Sequence, residues 1–147
     1  MSDDRIILDW RNVYESGPWA DRWDYSIALY GIIHFSDDEI LCLGKAHGET
    51  STVRRRWNAD DKHERGWSRI EKERGIYNHR FFVGEFRMPE GQRLTRELVG
   101  DIESLLIKQL RPWANRQNTK SRGYTRPGMV ICCQGHWPFR PRVFHDA

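Results

Sequence analysis

Apolar and polar positions along the chain fall into a few periodic blocks. Ile27-Ala28-Leu29-Tyr30-Gly31-Ile32-Ile33-His34-Phe35 and Ile40-Leu41-Cys42-Leu43-Gly44-Lys45 are two apolar, β-branched and aromatic runs separated by Ser36-Asp37-Asp38-Glu39. That pattern predicts a β-hairpin. His79-Arg80-Phe81-Phe82-Val83-Gly84-Glu85-Phe86 predicts a third strand, closed by the turn residues Pro89-Glu90-Gly91. Leu94, Leu98, Ile102, Leu105 and Leu106 recur at helical spacing and predict a helix from about 94 to Pro112, which cannot continue it. Glu103 sits at the edge of that apolar stripe, where a carboxylate loses hydration unless a cation or donor compensates.

Weaker signals fill the rest. Thr50, Ser51 or Thr52 can cap a helix beginning near Val53 and carrying Arg54, Arg55 and Arg56. A second helical stretch is predicted from about Asp61 to Arg74, with Trp67 and Ile70 inward and Gly75 as its stop. Residues 5–10 read as a strand or a short helix, and Ser16-Gly17-Pro18 breaks them. The aromatics Trp10, Tyr14, Trp19, Trp23 and Tyr25 are expected to pack against the flank of the domain. Met129-Val130-Ile131-Cys132-Cys133 is strand-like. The expected architecture is a single α+β domain: a small central antiparallel sheet of about three strands, built from the hairpin and the 79–86 strand and flanked by helices. Residues 1–25 form an acidic, aromatic N-terminal extension, 26–118 the core, and 119–147 a basic C-terminal extension.

Length and composition agree with one globular domain. The chain has 147 residues, 38% of them hydrophobic and 31% charged, enough for one core and too few for two. The apolar runs are far shorter than a membrane span, and the acidic N-terminus does not read as a secretory signal. Three cysteines, two adjacent, make no disulfide framework and point to a reducing cytoplasm. Cys132, Cys133, His136 and His145 lack the spacing of a zinc site, because neighbouring strand residues face opposite ways.

Charge is unevenly placed. Residues 1–40 carry three basic and nine acidic side chains, a net of −6, whereas residues 41–147 carry twenty-one and twelve, a net of +9; together these give the overall +3. The basic portion suits a polyanion partner.

Taken together, three features resemble the GIY-YIG nuclease superfamily. Ala28-Leu29-Tyr30 stands where the first tripeptide would be, and Cys42-Leu43-Gly44 where the second would be, with twelve residues from Tyr30 to Cys42. Gly44-Lys45-Ala46 followed by Val53-Arg54-Arg55-Arg56 is similar to the glycine–lysine and helix–arginine pattern of the excision-repair branch. Glu103 and, twelve residues on, Asn115 within Pro112-Trp113-Ala114-Asn115 are similar to the family's metal-binding glutamate and its Pro-x-x-Asn. The literal Gly75-Ile76-Tyr77 is not the equivalent tripeptide. Only five residues separate Tyr77 from Phe82, too few for two paired strands and a turn.

The resemblance implies a metal-dependent endonuclease hydrolysing DNA phosphodiester bonds, and it leaves RNA open. By resemblance, Tyr30 activates or orients the attacking water, Arg56 bridges the scissile phosphate, and Glu103 holds one Mg²⁺ or Mn²⁺. Lys45, Arg54, Arg55, Cys42 and Asn115 then line the substrate side. Cys42 stands where the family usually has tyrosine, and Asp60 where relatives often have tyrosine or histidine. His63 is the candidate to replace that side chain, with His47 as the alternative. A homodimer would convert nicking into double-strand cleavage. The runner-up is a catalytically impaired nucleic-acid-binding protein on the same fold. Each residue also has an ordinary reading: Tyr30 as a core tyrosine, the arginines as a solvated helix face, Glu103 as a structural ion-pair partner and Asn115 as a turn residue.

Overall fold

A computed structural model of the chain describes residues 5–13, 20–34, 39–47, 52–55, 67–76, 79–113, 128–139 and 142–145. Its strands are β1 (Ile6–Asn12), β2 (Ile27–His34), β3 (Ile40–His47), β4 (His79–Arg87), β5 (Val130–Gly135) and β6 (Val143–His145). Two helices, α1 (Trp67–Arg74) and α2 (Arg96–Leu110), and a short 3₁₀ turn, Ala20–Asp24, accompany them.

The expected hairpin is present as β2 and β3, and β4 pairs antiparallel with β2 on its other side. The expectation of a small three-stranded antiparallel sheet flanked by helices is nevertheless wrong. The sheet has six strands in the order β3-β2-β4-β1-β5-β6, and it is mixed, because β1 and β5 run parallel. The error lies at the two ends of the chain. Ile6, Leu8 and Trp10 alternate with Ile7 and Asp9, so 6–12 is a strand of period two, and it occupies a central position between β4 and β5. Its partner β5 lies more than a hundred residues away in sequence. Local pattern reports that a segment is extended, but a pairing over that distance leaves no local trace.

The two sheet faces have different covers. One carries Ile6, Leu8, Trp10, Leu29, Ile33, Leu43, Phe82 and Ile131 against Leu98, Val99, Ile102, Leu105 and Leu106 of α2. Trp137 closes that core, 5.3 Å from the Trp10 ring and 5.9 Å from Phe82. The other face carries Ala28, Tyr30, Ile32, Cys42, Ala46, Phe81 and Val83, covered by Val13, Trp23, Val53 and Ile70. The described N-terminal aromatics are divided between the two cores, and Tyr14 and Trp19 lie outside the described residues. Trp10 is fully buried in the first core, and Trp23 stacks on Phe81 at 4.5 Å in the second.

Helix α2 matches its periodicity. Thr95 Oγ1 accepts from Leu98 N at 3.1 Å as its N-cap. The helix closes at Arg111, whose backbone is left-handed (φ 49°) and whose N–H bonds to Ile107 O, immediately before Pro112. Of the expected 61–74 helix, 67–74 is helical and 61–66 lies outside the described residues. Residues 53–55 are helical, with Thr52 Oγ1 accepting from Arg55 N at 3.2 Å.

Candidate functional site

Tyr30 stands mid-strand on β2, opposite Gly44 on β3 and Val83 on β4. Its ring lies over Gly44, where an added Cβ would collide with it. Phe81 closes the other side at 5.8 Å between centroids, leaving Tyr30 only 2% exposed. Cys42 lies on the same face, opposite Ile32, and is also buried.

The 53–55 turn sits over this face. Val53 is buried among these residues, and its N–H bonds to Tyr25 O at 2.9 Å. Arg54 lies over the Trp23 ring at 5.6 Å and pairs with Asp24 at 3.5 Å. Arg55 is exposed beside it. Farther along the same layer, Arg69 and Arg74 of α1 lie 4.8 and 5.5 Å from the ring of Trp113. Arg74 also makes two hydrogen bonds to Glu39, just before β3. Each of these arginines is also held by an acid, Arg54 by Asp24, Arg69 by Glu73 and Arg74 by Glu39.

Lys45 is on the opposite side. It pairs with Leu29, and a Cβ at Gly100 of α2 would sit 3.2 Å from its Nζ. Glu103 follows Gly100 by about one turn of the same helix. It is half-buried between the buried Val99 and Leu106. The sheet thus separates Tyr30, Cys42 and the Arg54–Arg55 turn from Lys45 and α2. What joins the two groups is β3, the edge strand of the described sheet. Gly44 and Lys45 are consecutive on it, one side seating the Tyr30 ring and the other meeting α2. Arg56, His63 and Asn115 lie outside the described residues. His47, at the end of β3, has a buried Nδ1 with no hydrogen-bond partner.

Other titratable groups show what the structure does with buried polarity. Burial pushes the Cys133 thiol up to about 12, so it stays protonated and unreactive. Among the described residues no group of three or more His, Cys, Asp or Glu is placed to hold a metal ion, and no helix is long and apolar enough to cross a membrane.

Sequence reasoning missed one charged group. Asp9, 5% exposed, sits on β1 with Arg22 reaching over it from the 3₁₀ turn, and with Glu85, Arg11 and Arg87 around them. The available signal was a charge inside the apolar run Ile6-Ile7-Leu8-Asp9-Trp10. A buried strand tolerates such a charge only with a partner. No family model matches the chain, and neither the curated proteins nor the solved structures contain a match.

Proposed function

We propose that this chain is a metal-dependent endonuclease hydrolysing DNA phosphodiester bonds, with its site gathered around the edge of β3. The observation that carries this reading is the seating of Tyr30 over Gly44, on the face that also holds Cys42 and the arginine-bearing turn. Lys45 and the Glu103 helix lie against the other side of the same edge strand. In-line attack by water builds charge on the phosphoryl and leaving oxygens. Guanidinium groups from the 53–56 segment would grip the phosphate in bidentate fashion. The Tyr30 hydroxyl would orient the attacking water; a phenol by itself is a weak general base, so nearby cations or the metal would have to assist it.

Glu103 would hold the Mg²⁺. Its carboxylate is half-buried at the edge of the α2 stripe, and Mg²⁺ takes carboxylate oxygen ligands. When bound, the ion supplies charge neutralisation at the leaving oxygen. The free cysteines fit a reducing cytoplasm. A homodimer is the arrangement that would cut both strands.

A second reading, nucleic-acid binding without cleavage, is favoured by the 2% exposure of Tyr30 and by a buried thiol at position 42. One experiment separates the two. The purified chain is incubated with duplex, single-stranded and branched DNA and with RNA, with and without Mg²⁺ or Mn²⁺. Metal-dependent nicking or cutting is expected, abolished by Glu103→Ala and Tyr30→Phe while binding persists. Binding with no cleavage on any substrate selects the second reading. Binding that is absent, or insensitive to salt, removes both, because phosphate contacts must weaken as salt rises.

A further inference from the structure

The two faces of the sheet are covered with unequal strength. Over the first core, α2 is 15 residues long and buries seven of them. Over the core that holds Tyr30 and Cys42, α1 is 8 residues long. Among its described side chains only Ile70 is buried, whereas Lys72, Glu73 and Arg74 are exposed. A helix that short is marginal in water by itself, so its contacts with the rest of the chain hold it in place. Ile70 supplies the apolar contact, packing into the core of Tyr30, Cys42 and Ala46.

Further ties gather at the edge of β3. Trp113 comes just after the end of α2, the helix that covers the opposite face, yet it packs against the Tyr30 core. Arg69 and Arg74 of α1 lie over its ring at 4.8 and 5.5 Å. Arg74 also forks onto Glu39, with Nη1 donating to Oε2 at 3.0 Å and Nη2 to Oε1 at 3.3 Å. Glu39 immediately precedes β3, the edge strand of the described sheet. One clasp therefore joins α1, the end of α2 and the start of β3. Each link in it is modest. The Arg74 and Glu39 side chains are 31% and 41% exposed, where ion pairs are screened and cation–π contacts are weak.

We propose that α1 is a lid on the Tyr30 core, latched by the Arg69–Trp113–Arg74–Glu39 clasp, and that it opens while the α2 core stays folded. Elements with few buried apolar contacts open at lower free energy than the core beside them. Opening lifts Ile70 away and admits solvent to a face where Tyr30 is 2% and Cys42 7% exposed. Its use in the reaction rests on the nuclease reading, because a Tyr30 so covered meets the attacking water only with the cover raised. The opening itself is a property of the fold and is measured without cleavage.

Two free, buried cysteines report on the two covers separately, Cys42 in the Tyr30 core and Cys133 in the α2 core. The full chain is treated with excess N-ethylmaleimide under native conditions, and the modified cysteines are assigned by peptide mass spectrometry at successive times. Cys42 is expected to react about tenfold faster than Cys133, or more. Arg74→Gln and Trp113→Leu should each speed Cys42 by a further factor of about five to ten and leave Cys133 unchanged. Arg87→Gln, an exposed arginine outside the clasp, should react as the unmodified chain does. Circular dichroism confirms that each variant is folded, and Arg74→Gln carries the test if Trp113→Leu does not fold. Equal rates at Cys42 and Cys133 would mean that the cover opens only when the whole chain unfolds, which overturns the lid. A Cys42 rate that neither variant changes overturns the clasp as its latch. Fast, clasp-dependent labelling of Cys42 with no cleavage of any substrate keeps the lid and removes the nuclease reading. Cleavage with equal labelling of the two cysteines does the reverse.

Discussion

The ring of Tyr30 occupies the space that a side chain on Gly44, its cross-strand partner, would fill. The same device recurs in this sheet, where Gly84 lies beneath Trp10 as its cross-strand partner. A mid-strand glycine weakens a sheet unless something packs on it, and here an aromatic ring from the neighbouring strand does so. Gly44→Ala should therefore force the phenol aside and cost about 1–3 kcal/mol, read as a lower urea midpoint at unchanged m-value. Tyr30→Leu shortens the ring and should absorb part of that cost, so the double variant should be less destabilised than the sum of the singles. Strict additivity would mean that the two side chains do not meet.

Position 42 departs from the nuclease pattern that the sequence resembles, and its surroundings set the consequence of placing a tyrosine there. Cys42 is 7% exposed, packed on the Tyr30 face beside the buried Leu41 and Ala46. Replacing a thiol by a phenol there overfills the core, so Cys42→Tyr should lower stability by about 1–3 kcal/mol. If the proposed site is correct, cleavage measured below the variant's own melting temperature should nonetheless increase. A variant that is as stable as the parent and no more active would show that position 42 neither packs as described nor reaches the phosphate.

The elements most legible in the sequence were those whose signal is local. The β2–β3 hairpin, β4, and α2 with its Pro112 stop all rest on period or turn chemistry, whereas the Thr95 cap appears only in the structure. The sheet's extent was not legible. The residues of β1 and β5 look extended, but their parallel pairing joins the two ends of the chain. For the candidate site, the order Tyr30, Lys45, Arg56, Glu103, Asn115 was an expectation by resemblance, and Arg56 and Asn115 lie outside the described residues. That Tyr30 and Lys45 fall on opposite faces follows from strand alternation and the Tyr30–Gly44 register, and the register appears only in the structure. Asp9 was overlooked because its partners Arg22, Glu85 and Arg87 come from other segments.

Arg22 and Arg87 touch the same carboxylate oxygen but should differ widely in their contribution to stability. Removing Arg22 leaves Asp9 and two strand carbonyls without their buried donor, so Arg22→Ala should cost about 3–5 kcal/mol. The largely exposed Arg87 should cost no more than about 1 kcal/mol when changed to Gln. Chemical denaturation of the two variants side by side checks this. Comparable losses would mean that the buried pair is not the anchor of the group.

His136 should make stability depend on pH in a defined direction. Burial and the adjacent Arg11 charge lower its pKa in the folded chain below the ordinary 6.5. The unfolded chain therefore binds the proton more readily, and stability rises with pH across this range. The contribution is fully present above pH 6.5 and is lost as pH falls below that value toward the folded pKa. His136→Gln removes the titration, and its amide oxygen can still accept the Asn12 N–H. Melting temperatures measured from pH 7.5 down to 5 should fall more steeply for the unmodified chain than for the variant. Parallel curves would mean that His136 titrates alike in the folded and unfolded chain, so that the positive field beside Arg11 is too weak to exclude a second proton.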